Sequence, residues 1–284
     1  MKKLRVMSIM AHQDDFEFEA AGFFAMLRRH YGDDVELKIL TTSRGASGHH
    51  VHSIDETAAI REKEARASAE LVGAEYENLV QLDGSHIHMQ VFCDRNMLGG
   101  LWNAIRAFGP DYIIAPPVVT NPLAGIHIDH QHTAEAVRLV AYQLGVPNAY
   151  PTMNAPRITR FAPPIVLACI DSYSQEAIWH FRVDVEPVRE TKIKMLQCHQ
   201  SQIMEWLPFV DNLREDPDKV VPMTTEQWLA RIDKRHQQRN RLCGFDETTW
   251  HEYFAITNWG ASGGQTPGGL EKLKADFPFI SVAP

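Results

Sequence analysis

The stretch LRVMSIMAHQDD, residues 4–15, predicts the first strand of the chain and the polar turn that follows it. Residues 4–10 are almost continuously apolar, which is typical of a strand buried on both faces of a parallel sheet. The apolar run is short and meets charged residues at once, so it does not indicate a signal peptide. AHQDD then places polar side chains at the carboxyl end of the strand.

Strands and helices alternate over the first half of the chain. Strands are predicted at 4–10, 35–42, 78–82 and 111–115, and helices at 17–29, 56–71, 97–108 and 130–143. This alternation predicts an α/β fold, a Rossmann-like and mostly parallel sheet with helices on both faces. Ligands of such sheets collect at the carboxyl ends of the strands.

The second half of the chain is expected to add strands and helices to the same unit. Strand-like runs occupy 165–170 and 178–184, helical patterns occupy 187–200, 224–238 and 247–255, and a Gly-rich tail predicted to be irregular runs from 260 to 284. No internal repeat or second domain is evident. We therefore expect a single domain over 1–284, with its core at about 4–255.

Composition excludes several classes of protein. The chain has 284 residues, 44% of them hydrophobic, and a formal charge of −8 without any basic block. This disfavours nucleic-acid binding and attachment to a membrane surface, and no apolar run is long enough to span a bilayer. The four cysteines are scattered without a CxxC pair, as expected of reduced thiols in a cytoplasmic protein.

AHQDD, residues 11–15, carries side chains that suit metal chemistry. His12 and Asp15 are three residues apart, so a tight turn can aim both at one point, and imidazole and carboxylate are both zinc ligands. If Asp15 binds a metal, Asp14 is free to act as a base. The alternative is a solvated turn in which Asp15 caps the following helix.

HIDHQH, residues 127–132, follows the predicted strand at 111–115 after a loop. His127 and His130 are again three residues apart, and a carboxylate such as Asp129 can orient an imidazole near a metal. The alternative is a polar helix N-terminus capped by Asp129.

The two motifs are expected to meet, because both follow strands of one parallel sheet. His12, Asp15 and one histidine of the second motif supply three protein ligands, the number that a catalytic zinc keeps. Asp14 and the remaining histidine could then act as base and acid, which completes the machinery of a hydrolase.

The paired motifs resemble the AHPDD-type and HxDH-type motifs of the LmbE-like (PIG-L) family of zinc-dependent N-acetylglucosaminyl deacetylases. Gln13 stands where proline is usual in that family, which affects the rigidity of the turn. Four further segments resemble family features: TTSRGASG at 41–48, REKEARASAELVG at 61–73, KIKMLQCHQSQ at 192–202 and HEYF at 251–254.

The resemblance implies a role for each matching residue. One Zn²⁺ per chain, or another divalent metal, would be bound by His12, Asp15 and His130. Asp14 would be the general base, and His127 would stabilise the oxyanion or protonate the leaving amine, with Asp129 holding its ring. Arg61 would contact substrate.

Several residues fall outside these motifs. Arg44 could also touch substrate, or it could be a solvated loop charge. The loop 116–126 and the histidines His49, His50, His52, His86 and His88 match no family motif and are expected to reflect a particular substrate. Trp206 and Trp228 could stack on sugar rings, although packing is the commoner role of such residues.

The expected function is zinc-dependent removal of an N-acetyl group from an N-acetylglucosamine-type glycoside or a related small molecule, giving acetate and an amine. The alternatives are another metal-dependent amide or ester hydrolase and a catalytically silent ligand-binding member of the fold. A nucleotide-binding interpretation is weaker, because no GxGxxG follows the first strand. The family includes monomers and homo-oligomers, so the oligomeric state stays open.

Overall fold

A computed structural model describes residues 3–153, 158–170, 177–216, 222–260 and 269–283. Within these ranges the strands form one sheet in the order β3-β2-β1-β4-β5-β7-β6-β8. The strands are β1 Leu4–Met10, β2 Val35–Thr41, β3 Ala74–Asn78, β4 Tyr112–Ala115, β5 Ile165–Cys169, β6 Phe181–Asp184, β7 His251–Ile256 and β8 Ile280–Val282. The first five strands pair in parallel, and β7, β6 and β8 pair antiparallel.

Helices cover both faces of this sheet, which confirms the predicted α/β architecture. They are α1 Asp15–Glu19, α2 Ala21–Tyr31, α3 Ile54–Glu70, α4 Arg95–Phe108, α5 Ile128–Gln143, α6 Arg189–Gln197, a π-helix Ser201–Trp206, α7 Leu207–Asp211, α8 Thr225–Leu242 and α9 Gly269–Asp276. None of the helices in the described ranges is both long and apolar enough to cross a membrane.

The position of strand β1 in the sheet explains why its sequence is almost continuously apolar. It lies between β2 and β4, and its side chains alternate between two apolar layers. Val6 and Met10 pack into the layer on one face, while Met7 and Ile9 pack into the layer on the other. The turn after β1 is therefore held at the middle of the sheet's carboxyl edge.

The structure corrects the predicted bounds in the first half of the chain. The strand predicted at 78–82 is wrong: β3 ends at Asn78, and residue 79 makes one more bond to β2 before the chain turns. The helix predicted at 17–29 is broken at Ala20, whose φ of −145° and ψ of 6° are not helical, so α1 and α2 are separate. The short α1 follows the AHQDD turn directly.

Two predictions near the C-terminus are also wrong. Residues 251–256, predicted as part of a helix, form β7, which is paired on both sides and almost wholly buried. The tail is not irregular throughout, since 269–276 form α9 and 280–282 form β8 on the sheet edge. The part of the tail at 261–268 lies outside the described residues.

Candidate metal centre and active site

The carboxyl ends of β1 and β4 bring the two sequence motifs together, because these strands are neighbours in the sheet. Nδ1 of His12 lies 3.3 Å from one oxygen of Asp15, and Nε2 of His130 lies 3.2 Å from the other. The ligating atoms of the three side chains all lie within 4.8 Å of one another. The structure thus gathers the residues that the sequence nominated as ligands.

The spacing of these donor atoms fits a small divalent cation. Zinc bonds of about 2.0–2.2 Å in tetrahedral geometry place neighbouring ligand atoms roughly 3.3–3.6 Å apart. The His12–Asp15 and His130–Asp15 separations of 3.3 and 3.2 Å, each to a different oxygen of Asp15, are close to that requirement. A set of two imidazoles and one carboxylate is also a ligand type that zinc prefers.

Asp129 contacts His12 through its carboxylate. One oxygen lies 2.8 Å from Nε2 of His12, and the other accepts the backbone N–H of Val91 at 2.7 Å. A carboxylate behind the second nitrogen of a histidine is the usual support for a metal ligand. The sequence predicted that this carboxylate would hold the ring of His127. In the structure the carboxylate contacts His12 instead, and the backbone N–H of Asp129 donates to Nδ1 of His127 at 3.3 Å.

The same histidine belongs to a second possible ligand group, which consists of His12, His127 and Asp129. In that group the metal would lie on the Nε2 side of His12, and Asp15 would support Nδ1. The rings of His127 and His130 stack with centroids 4.8 Å apart, so the two groups are adjacent. Separate substitutions of His127 and His130 would show which of the two groups binds the metal.

Asp14 stands beside this centre in an unusual backbone conformation. Its φ of 121° is the only positive value at a non-glycine position among the described residues, and such strain is characteristic of functional turns. Its carboxylate accepts a hydrogen bond from Arg61 at 2.9 Å. Burial raises the pKa of Asp14 even though Arg61 opposes this, which makes the carboxylate a stronger base.

The charges within the donor set, which consists of His12, Asp15 and His130, are complementary. Burial by itself raises the pKa of Asp15, but His130 and His12 outweigh it, so the net shift is well below the usual value. Burial lowers the pKa of His12, yet Asp15 and Asp129 overcome it and the net shift is upward. For His127, burial and the two neighbouring histidines lower the pKa.

Arg61 holds the turn rather than standing free in the cavity. It is almost fully buried and donates to the backbone oxygens of Gln13 and Gly45 as well as to Asp14. A Cβ at Gly45 or Gly48 would come within 2.7 Å of its guanidinium, which explains the glycines of the TTSRGASG loop. Its proposed contact with substrate stays a prediction.

Two other residues near the turn, Arg44 and Gln13, are each held by a side-chain contact. Arg44 forms an ion pair with Glu62 at 3.1 Å and does not line the cavity described below. Gln13, in the position of the usual proline, donates to Asn78 at the end of β3. It therefore anchors the turn through a side-chain bond that proline cannot make.

A cavity of about 690 Å³ opens in front of the centre. The motif residues form one wall, and the C-terminal half of the chain supplies the opposite wall. That second wall includes Gln202 and Trp206 of the π-helix and Trp228, Arg231 and Gln238 of α8. Sequence reasoning missed Arg231 and Gln238, since no local pattern connects α8 with residues more than 200 positions earlier.

The histidine-rich loop after β2 forms its own cluster with Glu205. Nε2 of His49 lies 3.0 Å from the Glu205 carboxylate, and these two residues together with His52 could hold a metal on distance alone. However, Nδ1 of His49 accepts the backbone N–H groups of Val51 and His52. The proton of the neutral ring must then lie on Nε2, so this cluster is better suited to anchoring the loop than to binding metal.

Residues 7–141, which carry both motifs, match the family described as PIG-L: GlcNAc-PI de-N-acetylase. The resemblance that the two motifs indicated is therefore confirmed over this part of the chain. Among curated proteins no match was found.

Solved structures that share this fold include enzymes of more than one kind. N,N'-diacetylchitobiose deacetylase from Pyrococcus horikoshii is 21% identical with a TM-score of 0.64, and the match covers 93% of this chain and 87% of that one. A conserved protein from Thermus thermophilus is 18% identical with a TM-score of 0.60 over 89% and 94% of the two chains. The 4-carboxy-2-hydroxymuconate hydratase from Pseudomonas putida is 18% identical with a TM-score of 0.56 over 89% and 95%. At these identities the likeness shows the fold alone.

Proposed function

We propose that the protein is a zinc-dependent hydrolase that removes the N-acetyl group from an N-acetylglucosamine-type glycoside or a related small molecule. The observation that carries this is the donor set of His12, Asp15 and His130, which opens beside Asp14 onto the large cavity. The PIG-L match over the same residues supports the reaction class. Deacetylation is also the activity named for the Pyrococcus structure.

His12, Asp15 and His130 would hold one zinc ion, with Asp129 fixing the ring of His12. When bound, such an ion activates water and polarises a carbonyl group. It would leave Asp14 and His127 free for proton transfer and charge stabilisation.

Asp14 is positioned to move protons. Arg61 fixes the carboxylate at 2.9 Å, and the strained turn aims it into the cavity. We assign it the proton of the attacking water, which it can return to the leaving nitrogen. His127 lines the same cavity and would donate to the developing oxyanion or to the amine.

The opposite wall suits a ligand that carries many hydroxyl groups. Gln202 and Arg231 offer polar groups, and Trp206 offers an indole face. The 690 Å³ volume is enough for a sugar of one or two rings. This supports an amino-sugar substrate over a small ester.

The test measures metal content and release of amine from N-acetylglucosamine and N,N'-diacetylchitobiose by the full chain. We expect about one zinc per chain and stoichiometric acetate and amine. His130→Ala should lose the metal. Asp14→Asn should keep it and lose turnover by ~10²-fold or more, as expected for a general base.

Asparagine is preferred at position 14, because alanine would leave Arg61 buried without its partner. Asp33→Asn, at an exposed site, is the matched control. Full metal occupancy in His130→Ala, with loss in His127→Ala, would move the metal to the second ligand group. Failure to cleave any amide, with addition of water to an unsaturated acid instead, would reject the proposal in favour of hydratase chemistry.

A further inference from the structure

Helix α1 carries one carboxylate at each end. Asp15 begins this helix and belongs to the donor set, and Glu19 ends it. The two residues are four positions apart, so a single helical turn places them on one face. The side chain of Glu19 is only 11% exposed, and the proposed reaction gives it no role.

Glu19 pairs with two arginines of α8. One oxygen of its carboxylate lies 3.1 Å from Arg235 and also contacts Arg239. A second nitrogen of Arg239 donates to the backbone oxygen of Phe18 at 2.8 Å. That oxygen is available because the backbone N–H of Gly22, four residues later, donates to a buried carboxylate of β7 instead of continuing the helix. The end of α1 is therefore shaped to hold α8.

Arg235 connects this contact with the cavity. Its guanidinium lies over the ring of Phe18, 4.6 Å from the centroid, and both residues line the cavity. Arg231 and Gln238 precede and follow Arg235 by about one helical turn and line the same wall. Asp233 pairs with an arginine of α6 at 2.7 Å, away from the donor set. Glu19 thus supplies an ionic contact between α8 and the helix that begins with the ligand Asp15.

We infer that Glu19 is a positioning residue, which acts through Arg235 and Arg239 to fix the distance between the donor set and the wall that α8 forms. This rests on the proposed function and deepens it, because that distance decides how a substrate larger than one sugar is held. A substrate whose amide lies at the donor set meets the opposite wall with its more distant part. Loss of the contact therefore weakens binding of a disaccharide more than binding of a monosaccharide, and it leaves the chemical step unchanged.

Glu19→Gln tests this with the zinc-loaded full chain. It removes the negative charge between two arginines that are one helical turn apart, so they repel and Arg235 moves. We expect the KM for N,N'-diacetylchitobiose to rise by about 10-fold, as for misplacement of a binding group. The KM for N-acetylglucosamine should change by less than about 3-fold and both kcat values by less than about 2-fold, since only binding is lost. Glu226→Gln, at an exposed site on α8 outside the cavity, is the matched control.

Arg239→Lys breaks the same contact from the other side and keeps the charge. Arg239 does not line the cavity, and a lysine cannot reach both Glu19 and the oxygen of Phe18 as the guanidinium does. This variant should lower the ratio of kcat/KM for the disaccharide to that for the monosaccharide, as Glu19→Gln does. The double variant should lower it no further than the stronger single variant, because both remove one interaction. Arg239→Lys also supplies the test if Glu19→Gln does not fold.

Binding can be measured without turnover in the zinc-loaded Asp14→Asn chain. Titration calorimetry with N,N'-diacetylchitobiose gives its Kd with and without the added Glu19→Gln substitution. We expect the Kd to rise by about 10-fold, matching the change in KM. Zinc content should be the same in both chains, because Glu19 is not a member of the donor set.

Each result has one interpretation. An equal rise in KM for the two sugars, a fall in kcat with KM unchanged, or an unchanged Kd overturns the inference while leaving deacetylation intact. Additive effects in the double variant would show that Glu19 and Arg239 act separately and would also overturn it. If the zinc-loaded wild type cleaves neither amide, it is the proposed function that fails.

Discussion

At the scale of single residues, the AHQDD turn depends on a glycine, Gly45, that leaves room for the side chain of Arg61. Gly45 has a φ of +59°, and a Cβ there would lie 2.7 Å from the guanidinium of Arg61 and 2.7 Å from Oε1 of Gln13. Arg61 in turn holds Asp14. The glycine is therefore linked, through the position of the arginine, to the proposed general base.

Gly45→Ala is expected to reduce deacetylation by about 10- to 100-fold, because a shift of the arginine displaces the carboxylate of Asp14. Gly84→Ala is the matched control, since Gly84 also has a positive φ, of +85°, but a Cβ there would meet no atom within 4 Å. Both variants should lose stability from backbone strain, and Gly45→Ala should lose more because of the added steric clash; chemical denaturation measures both losses. Equal activities in the two would contradict the link.

The residues of the centre were predictable where their signal is local. His12 with Asp15, and His127 with His130, are each separated by three positions, and both pairs follow strands that the apolar pattern reveals. The bond between His12 and Asp129 was not predictable, because it joins positions 117 apart and depends on how α5 lies over β1. The local sequence does not determine how α5 is oriented relative to β1.

At the scale of elements, a buried ion pair joins three of them. Lys192 of α6 and Glu252 of β7 lie 2.6 Å apart, and neither side chain is exposed. The Glu252 carboxylate also accepts the backbone N–H groups of Gly22 and Phe23 at the start of α2. The KIKMLQCHQSQ and HEYF segments thus meet in a structural contact.

Glu252→Gln is expected to destabilise the fold by about 3–5 kcal/mol, since it leaves the Lys192 charge buried without its partner. Equilibrium unfolding in urea measures the loss. Lys192→Met combined with Glu252→Gln should recover part of it by removing the isolated charge. Glu190→Gln, which breaks the exposed pair with Lys194 on the same helix, should change nothing measurable.

The same contact explains why β7 was predicted as a helix. Its segment contains Tyr253, Phe254 and Ile256, which favour strands, but also Glu252 and Ala255, which do not, so local propensity is mixed. Pairing with β5 on one side and β6 on the other decides its conformation, together with the buried carboxylate. Those partners lie far away in the chain, beyond the reach of a periodicity argument.

At the scale of the whole molecule, the C-terminal half completes both the sheet and the cavity. Helix α8 supplies Trp228 and Arg231 to the cavity wall, and its inner face packs on the strand that follows it. His236 of that face stacks on Trp250 with ring centroids 4.3 Å apart, and its Nδ1 lies 3.2 Å from the backbone oxygen of His251. Burial and the nearby charges of Lys192 and Arg239 favour the neutral form of this imidazole.

Acidification should consequently weaken the whole fold through His236. Burial, together with the charges of Lys192 and Arg239, lowers the pKa of this histidine well below its usual value of 6.5. Below pH 6.5 the unfolded chain binds a proton that the folded chain does not, so stability falls as the pH falls. This contribution is on the order of 1 kcal/mol between pH 7.5 and 5.5.

His236→Gln should remove that contribution, so the free energy of unfolding should fall less between pH 7.5 and 5.5 than in the wild type. Glutamine keeps a donor for the oxygen of His251 and cannot titrate. His30→Gln, at an exposed site on α2, controls for the loss of a histidine and should keep the wild-type difference. Urea unfolding at the two pH values measures each difference, and a wild-type slope retained in His236→Gln would show that other groups set the acid sensitivity. A slope reduced to the same extent in His30→Gln would show that burial of His236 is not its cause.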